Sequence, residues 1–335
     1  MNESEAGHHP QKTYILTFDL AQKIKLFRSI GLKTPNPDDT IFTNIKDELI
    51  VMVSRAFAGA NIRAVSMEDL ADEILSRAMD HRKHLSNATV VSTCVEIADL
   101  KRGQTIDINR LVGRSGDIIG LGPRPGHPSL EDQIRLIANA CDDNPVILME
   151  DGTFTGSTML QILRMFKQLK VEVAAVVIGF AFENAVKNLK KEFGGELIVV
   201  EEMENFIDWM PDHDFFPFVP NCGRVVGVPW NGYNLPLYTH NGASYSIPYV
   251  LPFCPMTEWT SIPMDSALEI SQYCVKRTKD IFSEMEHLNS KRITMGDLMG
   301  VKPRVSIPIA VGQSRLPHMN LFVTDYLSDV CHELA

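Results

Sequence analysis

The sequence predicts an α/β protein: a parallel sheet with helices on both faces, carrying a helical N-terminal portion and a mixed C-terminal portion. Three observations lead there. Between Ser129 and about residue 203, apolar strands and amphipathic helices alternate strictly. The strands, at 146–149 and 171–180, are apolar at successive positions and therefore on both faces, as a sheet covered on two sides requires. The helices between them are about a dozen residues long, which suits crossovers between parallel neighbours.

Taken in order, residues 1–12 read as a tail and TYILTF at 13–18 as a strand. Apolar residues at three and four residue spacing predict helices over 21–30, 43–57 and 67–85, and Ser66 with Asp69 resembles a capping box at the start of the third. The β-branched run ATVVSTC at 88–94 predicts a strand. Residues 103–127, rich in glycine and arginine, predict a long, partly mobile loop or hairpin. The alternating core follows: a helix over 130–140 capped by Ser129 and Asp132, a strand at 146–149, a helix at 157–169, a strand at 171–180, a helix at 182–193 and a strand at 196–200. Beyond residue 205 the chain is rich in Pro, Asn, Gly and aromatics, which predicts loops and short antiparallel strands. A helix at 266–287, a strand at 303–309 and a terminal helix at 319–334 complete it. The expected division is 1–86, helical and a candidate hood; 87–228, the α/β core; and 229–335, a mixed subdomain.

Composition narrows the function classes. The 335 residues are ordinary for a globular protein, and 32 basic against 42 acidic side chains give 32 − 42 = −10. Such a charge gives no general attraction to nucleic acid or to an anionic membrane, so neither is an expected partner and an anionic substrate needs a local basic site. No uncharged apolar run approaches the ~18 residues of a membrane span, and the first residues are not of secretory type, so a cytoplasmic setting is expected. Six scattered cysteines lack CxxC or zinc spacing and read as reduced.

Chemistry concentrates in VILMEDGTFTGSTM at 146–159. In a parallel sheet ligands bind beyond the carboxyl ends of the strands, so Glu150 and Asp151 stand where an apolar strand ends and the following helix points its N-terminus at the same spot. The backbone amides and hydroxyls of Thr153, Phe154, Thr155, Gly156, Ser157 and Thr158 offer donors to a phosphate at the positive end of that helix, with Gly156 permitting close backbone approach. Two carboxylates beside a phosphate need something neutral between them, which a pentose diol supplies. The spacing suits a pentose 5-phosphate. The Walker-type loop is excluded, since no Lys follows Gly156.

These residues resemble the 5-phosphoribosyl-1-pyrophosphate (PRPP) binding motif of the type I phosphoribosyltransferases: an apolar strand, an acidic pair, a short spacer, then Thr155-Gly156-Ser157-Thr158. The resemblance covers about residues 130–203. It implies that Glu150 and Asp151 hold the ribose diol, that both approach a Mg²⁺ ion through water or ribose hydroxyls, that Asp151 is catalytic, and that the loop holds the 5′-phosphate. It also implies basic groups on the leaving pyrophosphate, for which Lys101, Arg102, Arg114 and above all Arg124, stiffened by its flanking prolines, are candidates. A short Gly-rich pyrophosphate loop is missing.

Base recognition in this family comes from a variable hood, and the aromatics between Val228 and Trp259 are read as the core of a small subdomain, with base stacking the alternative. His240 is read as a surface residue rather than a general base. The leading expectation is a Mg²⁺-dependent enzyme that makes or breaks an N-glycosidic bond at ribose C1, using PRPP or a nucleotide and an unidentified base acceptor. A non-catalytic PRPP- or nucleotide-binding regulator, and an effector of a bacterial defence system of the retron-linked ribosyltransferase kind, are the alternatives. The large ends leave room for a homo-oligomer or a protein complex.

Overall fold

The computed structural model describes residues 11–85, 87–94, 96–97, 104–239, 242–301, 305–313 and 317–335. Among them lie two parallel sheets. The larger has five strands, in the order β4 (Gln104–Thr105), β3 (Thr89–Ser92), β7 (Val146–Thr153), β8 (Val173–Phe182) and β9 (Glu196–Met203). Its strands are apolar on both faces because both are covered. Val146 and Leu148 of β7, with Val176 and Ile178 of β8, pack on α4 (Leu130–Cys141), α5 (Ser157–Gln168) and α6 (Glu183–Glu192). Their sequence neighbours Ile147, Met149, Ala175 and Val177 turn to the other face and pack on α3 (Met67–Arg82). The alternation of side chains along a strand thus divides one apolar run between two cores.

The smaller sheet has the order β10 (Phe206–Pro211), β1 (Thr13–Phe18), β2 (Asn61–Ser66), again all parallel. Its central strand divides in the same way: Ile15 joins α3, whereas Tyr14 and Leu16 join a large core with α2 (Thr40–Ala56), α8 (Met264–Asn289) and α9 (Val323–Glu333). That core runs from Tyr14 to Leu334, and the Tyr14 hydroxyl donates to the Thr260 carbonyl at 2.9 Å. The expected boundaries at residues 86 and 228 therefore do not separate folding units. The N-terminal portion is not simply helical either, since it supplies two strands of a sheet and the helix that covers one face of the other sheet. Trp209 of β10 ties the two sheets together. Its ring fills the space over Gly152 of β7, where a Cβ would lie 2.5 Å from it, and its indole nitrogen donates to Thr17 Oγ1 at 3.2 Å.

The capping serines act as expected: Ser66 accepts from the Asp69 amide at 3.3 Å and Ser129 from the Asp132 amide at 3.1 Å. The glycine-rich stretch is the antiparallel hairpin β5 (Ile108–Val112) and β6 (Ile118–Pro123). Its glycines serve packing: a Cβ on Gly122 would lie 2.4 Å from Leu111 Cδ1 and 2.6 Å from the Asn234 carbonyl. The Asn234 amide group and the Tyr238 hydroxyl, from β13 (Tyr233–Pro236) and just beyond it, bond the hairpin backbone at Leu121 and Gly126. Of the two expected forms, loop or hairpin, the segment takes the hairpin. Among the described residues, no helix is long and apolar enough to cross a membrane.

Gly156 also has a different reason from the expected one. Its φ of +78° begins α5, and a Cβ there would point at Leu189 Cγ of α6, 3.1 Å away, and at the Ala185 carbonyl at 3.4 Å. The glycine serves the packing of the helix pair. Gly156→Ala is expected to destabilise the ligand-free protein by about 1–2 kcal/mol through the left-handed backbone alone, read by urea unfolding. Trp209→Ala, which opens a cavity between the sheets, is expected to cost about 3–5 kcal/mol in the same measurement.

Candidate functional site

Because both sheets are parallel, their carboxyl ends can face one place, and four of them do. Beyond β1 comes Asp19; beyond β3 come Thr93, Cys94 and Glu96; the carboxyl half of β7 carries Glu150 and Asp151; and beyond β10 come His213 and Asp214. These line a cavity of about 250 Å³. Arg110 and Arg124 reach it from the hairpin of β5 and β6, and Asn221, Arg224 and Tyr249 from the C-terminal portion. The placement follows the general rule that ligands sit outside the carboxyl ends of parallel strands.

Three of its acids are firmly partnered. Asp19 Oδ1 lies 2.6 Å from His213 Nδ1, and its second oxygen lies 3.5 Å from Lys23 Nζ. Glu96 accepts from Lys23, from Asn221 Nδ2 at 3.1 Å and from the Cys94 thiol at 3.1 Å, with Arg124 at 3.9 Å. Asp214 accepts from the Gly223 amide at 2.7 Å and lies 3.7 Å from His213 Nε2. Burial alone would neutralise such groups, but the partners outweigh it for Glu96 and Asp19, whose carboxyls are held below the usual range by Lys23 and Arg124 and by His213 and Lys23 respectively. For the same reason His213, which burial would discharge, is raised to about 9 by the Asp19 carboxylate.

Glu150 and Asp151 differ. Burial, then the proximity of Asp151, pushes Glu150 well above the carboxylate range, and burial with the Glu96 charge pushes Asp151 up to about 6. Asp151 accepts from the Gly152 amide at 2.9 Å. Glu150 Oε2 is buried with no hydrogen-bond partner, and so is Nε of Arg124, whose side chain is 13% exposed. Each such unpartnered buried atom costs about 1–3 kcal/mol, and Glu150 lines the cavity together with its neighbour Asp151. As oxygen donors, this pair fits a hard divalent cation, and a further oxygen and sulfur lie close by: the ligand atoms of Cys94, Glu96 and Asp151 are all within 4.8 Å of one another.

The structure thus brings together Arg124, Glu150, Asp151 and Thr158 of the residues singled out in the sequence. It does not bring Thr153, Phe154, Thr155, Gly156 and Ser157 into the cavity wall. Phe154 stacks on Phe182 with ring centroids 4.8 Å apart and packs near Trp209, a core position rather than a ligand contact. Thr153 Oγ1 accepts from the Gly156 amide at 3.2 Å, and the Thr155 and Ser157 hydroxyls bond each other at 2.9 Å. The Ser157 amide donates to Thr155 Oγ1 at 3.3 Å, and the first turn of α5 carries no acidic residue, unlike those of α3 and α4. Lys101, Arg102 and His240 lie outside the described residues. Of the aromatics, Tyr245, Phe253 and Trp259 are buried in the core and Trp230 is 61% exposed, while Tyr249 lines the cavity.

Sequence reasoning missed Asp19, Glu96, Arg110, His213, Asp214, Asn221 and Arg224. Two had a usable signal, since Asp19 follows an apolar strand as Glu150 and Asp151 do, and Pro211-Asp212-His213-Asp214 is a polar run inside an otherwise apolar segment.

The acidity of Asp151 sets a pH signature. In the unfolded chain its carboxyl ionises near 3.8 and in the folded protein near 6, so its contribution to stability falls as pH rises through that interval and stays at its lowest above it. Asp151→Asn is expected to be more stable than the natural chain at pH 7, by about 1–3 kcal/mol, with the difference shrinking towards zero at pH 4.5, in urea unfolding at the two pH values. A loss of stability at pH 7 would show that the carboxylate is needed for the fold.

No protein-family model matches the chain, and no curated protein matches it. Among solved structures it is similar to TT1426 from Thermus thermophilus, at 16% identity and a TM-score of 0.24 over 40% of this chain and 81% of that one. The UMP synthase of Leishmania donovani is similar at 11% identity and a TM-score of 0.26, over 47% of this chain and 36% of that one. A hypoxanthine phosphoribosyltransferase from Staphylococcus aureus is similar at 15% identity and a TM-score of 0.22, over 44% of this chain and 76% of that one.

Proposed function

We propose that this chain is a phosphoribosyltransferase-like enzyme that binds PRPP or a nucleotide and makes or breaks the N-glycosidic bond at ribose C1. One observation carries the reading: at the carboxyl ends of parallel strands, the adjacent acids Glu150 and Asp151 share a cavity with Arg124, and Glu150 Oε2 and Arg124 Nε are buried there without partners. The start of α5, free of acidic residues, brings Thr158 to the same wall and supports an anion there. The order β7, α5, β8, α6, β9 in one parallel sheet supports the corresponding fold core.

In this reading Thr158 and the α5 amides hold the 5′-phosphate, and the Glu150 and Asp151 carboxyls accept from the ribose 2′ and 3′ hydroxyls. Cleavage at C1 spreads positive charge over the ring, and the carboxylates of Asp151 and Glu96 are fixed in place to stabilise it. Asp151, poised near 6, can hold or release a proton close to neutral pH. Arg124 supplies charge to the leaving group or to the phosphate. Glu150 and Asp151 would hold Mg²⁺, which when bound adds positive charge against the phosphate oxygens. A binding-only regulator is the second reading, favoured by the pairing of Lys23 and Arg124 with Glu96, which occupies basic groups that transfer would use.

Calorimetric titration with ribose 5-phosphate tests the proposal. Binding is expected, and Asp151→Asn is expected to weaken it by about 1.5–3 kcal/mol, or roughly 10 to 150-fold, while the same variant gains stability at pH 7. Unchanged affinity in that variant removes the assignment.

A further inference from the structure

Glu96 has no role in the reading above beyond its charge, yet it is the most heavily partnered acid of the cavity. Its side chain is only 10% exposed. Four groups converge on it: the Lys23 ammonium, the Asn221 amide, the Cys94 thiol and, at 3.9 Å, the Arg124 guanidinium. Two cations, an amide and a further donor around one carboxylate are what a protein would present to a phosphate group. We infer, resting on the phosphoribosyl reading, that Glu96 fills an anion seat beside the ribose site, so that the cavity accepts a ribose 5-phosphate whose C1 carries an uncharged nucleobase and rejects one whose C1 carries pyrophosphate.

The remaining charges of the wall point the same way. Among the described residues, Arg224 is spoken for, stacked 4.0 Å over the Trp259 ring and bonded to the Tyr249 hydroxyl at 3.1 Å. Lys23 is shared between Glu96 and Asp19. Lys23 and His213 offset Asp19 and Glu96, which among the described residues leaves Arg110 and Arg124 with Asp151, Asp214 and Glu150. Adding the several negative charges of a pyrophosphate to that wall sets like charges together in a partly desolvated space, which is the repulsive element that specificity against a partner needs. A nucleobase adds none. Tyr249 on the same wall offers it an aromatic surface, and a cavity of about 660 Å³, which shares Asp19, Met67 and Glu96 with the first, offers it room.

Calorimetry on the full chain, with Mg²⁺ present, can rank four probes: ribose 5-phosphate, adenosine 5′-monophosphate, uridine 5′-monophosphate and PRPP. At least one mononucleotide is expected to bind tenfold or more tightly than PRPP; a ratio below tenfold for both overturns the inference and leaves the phosphoribosyl reading standing. If ribose 5-phosphate does not bind, that reading fails and the inference with it. In Glu96→Gln, PRPP affinity is expected to rise at least tenfold relative to that of ribose 5-phosphate in the same variant; a folded variant in which the ratio of the two affinities is unchanged overturns the role of Glu96. Should the variant fail to fold, the ranking in the natural chain decides alone.

Discussion

Ionised groups stay buried only where partners replace the water they lose, and that constraint shapes this molecule around one point. The carboxyl ends of β1, β3, β7 and β10 deliver Asp19, Glu96, Glu150, Asp151 and Asp214 to a common cavity. Three of these are compensated by Lys23, His213, Asn221 and a backbone amide, and the Lys23–Glu96, Asn221–Glu96 and His213–Asp19 contacts each join distant stretches of chain. The network therefore fixes how the strand ends stand relative to one another. The other two, Glu150 and Asp151, have no cation within ion-pair distance among the described residues, and burial leaves their carboxyls weaker acids than usual, as it does Asp214. A stable fold would have no use for such a pair in the carboxyl half of β7, which is the usual mark of a site kept at the expense of stability.

The larger sheet was legible because its evidence is local. Each of β7, β8 and β9 is a contiguous apolar run separated from the next by one amphipathic helix, and the strand boundaries lie within a few residues of those expected. The strand β7 is longer than expected, running to Thr153, so the acidic pair belongs to the strand and not to the loop after it. The smaller sheet was not legible beyond β1. The residues of β2 are half exposed and carry no clear alternation, and β10 holds an Asp at its centre and ends in Pro. Above all, β1 pairs with β10 almost two hundred residues away, and nothing in either segment names the other as partner.

The same distinction explains the site. Glu150, Asp151 and Arg124 announce themselves by their neighbours, an apolar strand in one case and two prolines in the other. Glu96 and Asn221 have no such neighbours, and their meaning lies in the 3.1 Å contact between segments 125 residues apart. The loop hydroxyls at 153–157 show how much composition leaves open. They have the composition of a phosphate cradle, but Thr153, Thr155 and Ser157 bond to the loop itself and Phe154 belongs to the aromatic core. Composition alone cannot tell a loop that presents its donors from one that spends them internally.

Arg124 shows how the two kinds of information meet. Pro123 and Pro125 restrict its backbone, its amide donates to the Asp107 carbonyl at 2.8 Å, and the next turn is closed by the His127 amide on its own carbonyl at 3.1 Å. The hairpin that carries it is held by Asn234 and Tyr238. So restrained, the guanidinium reaches the cavity with little entropy left to lose, and its unpartnered Nε stays buried in place of bonding to water. A flexible arginine would relax onto Glu96 and close the ion pair; here the separation stays at 3.9 Å. The hairpin thus sets the guanidinium in the cavity wall beside the carboxylate of Glu96 and in the same wall as Glu150 and Asp151.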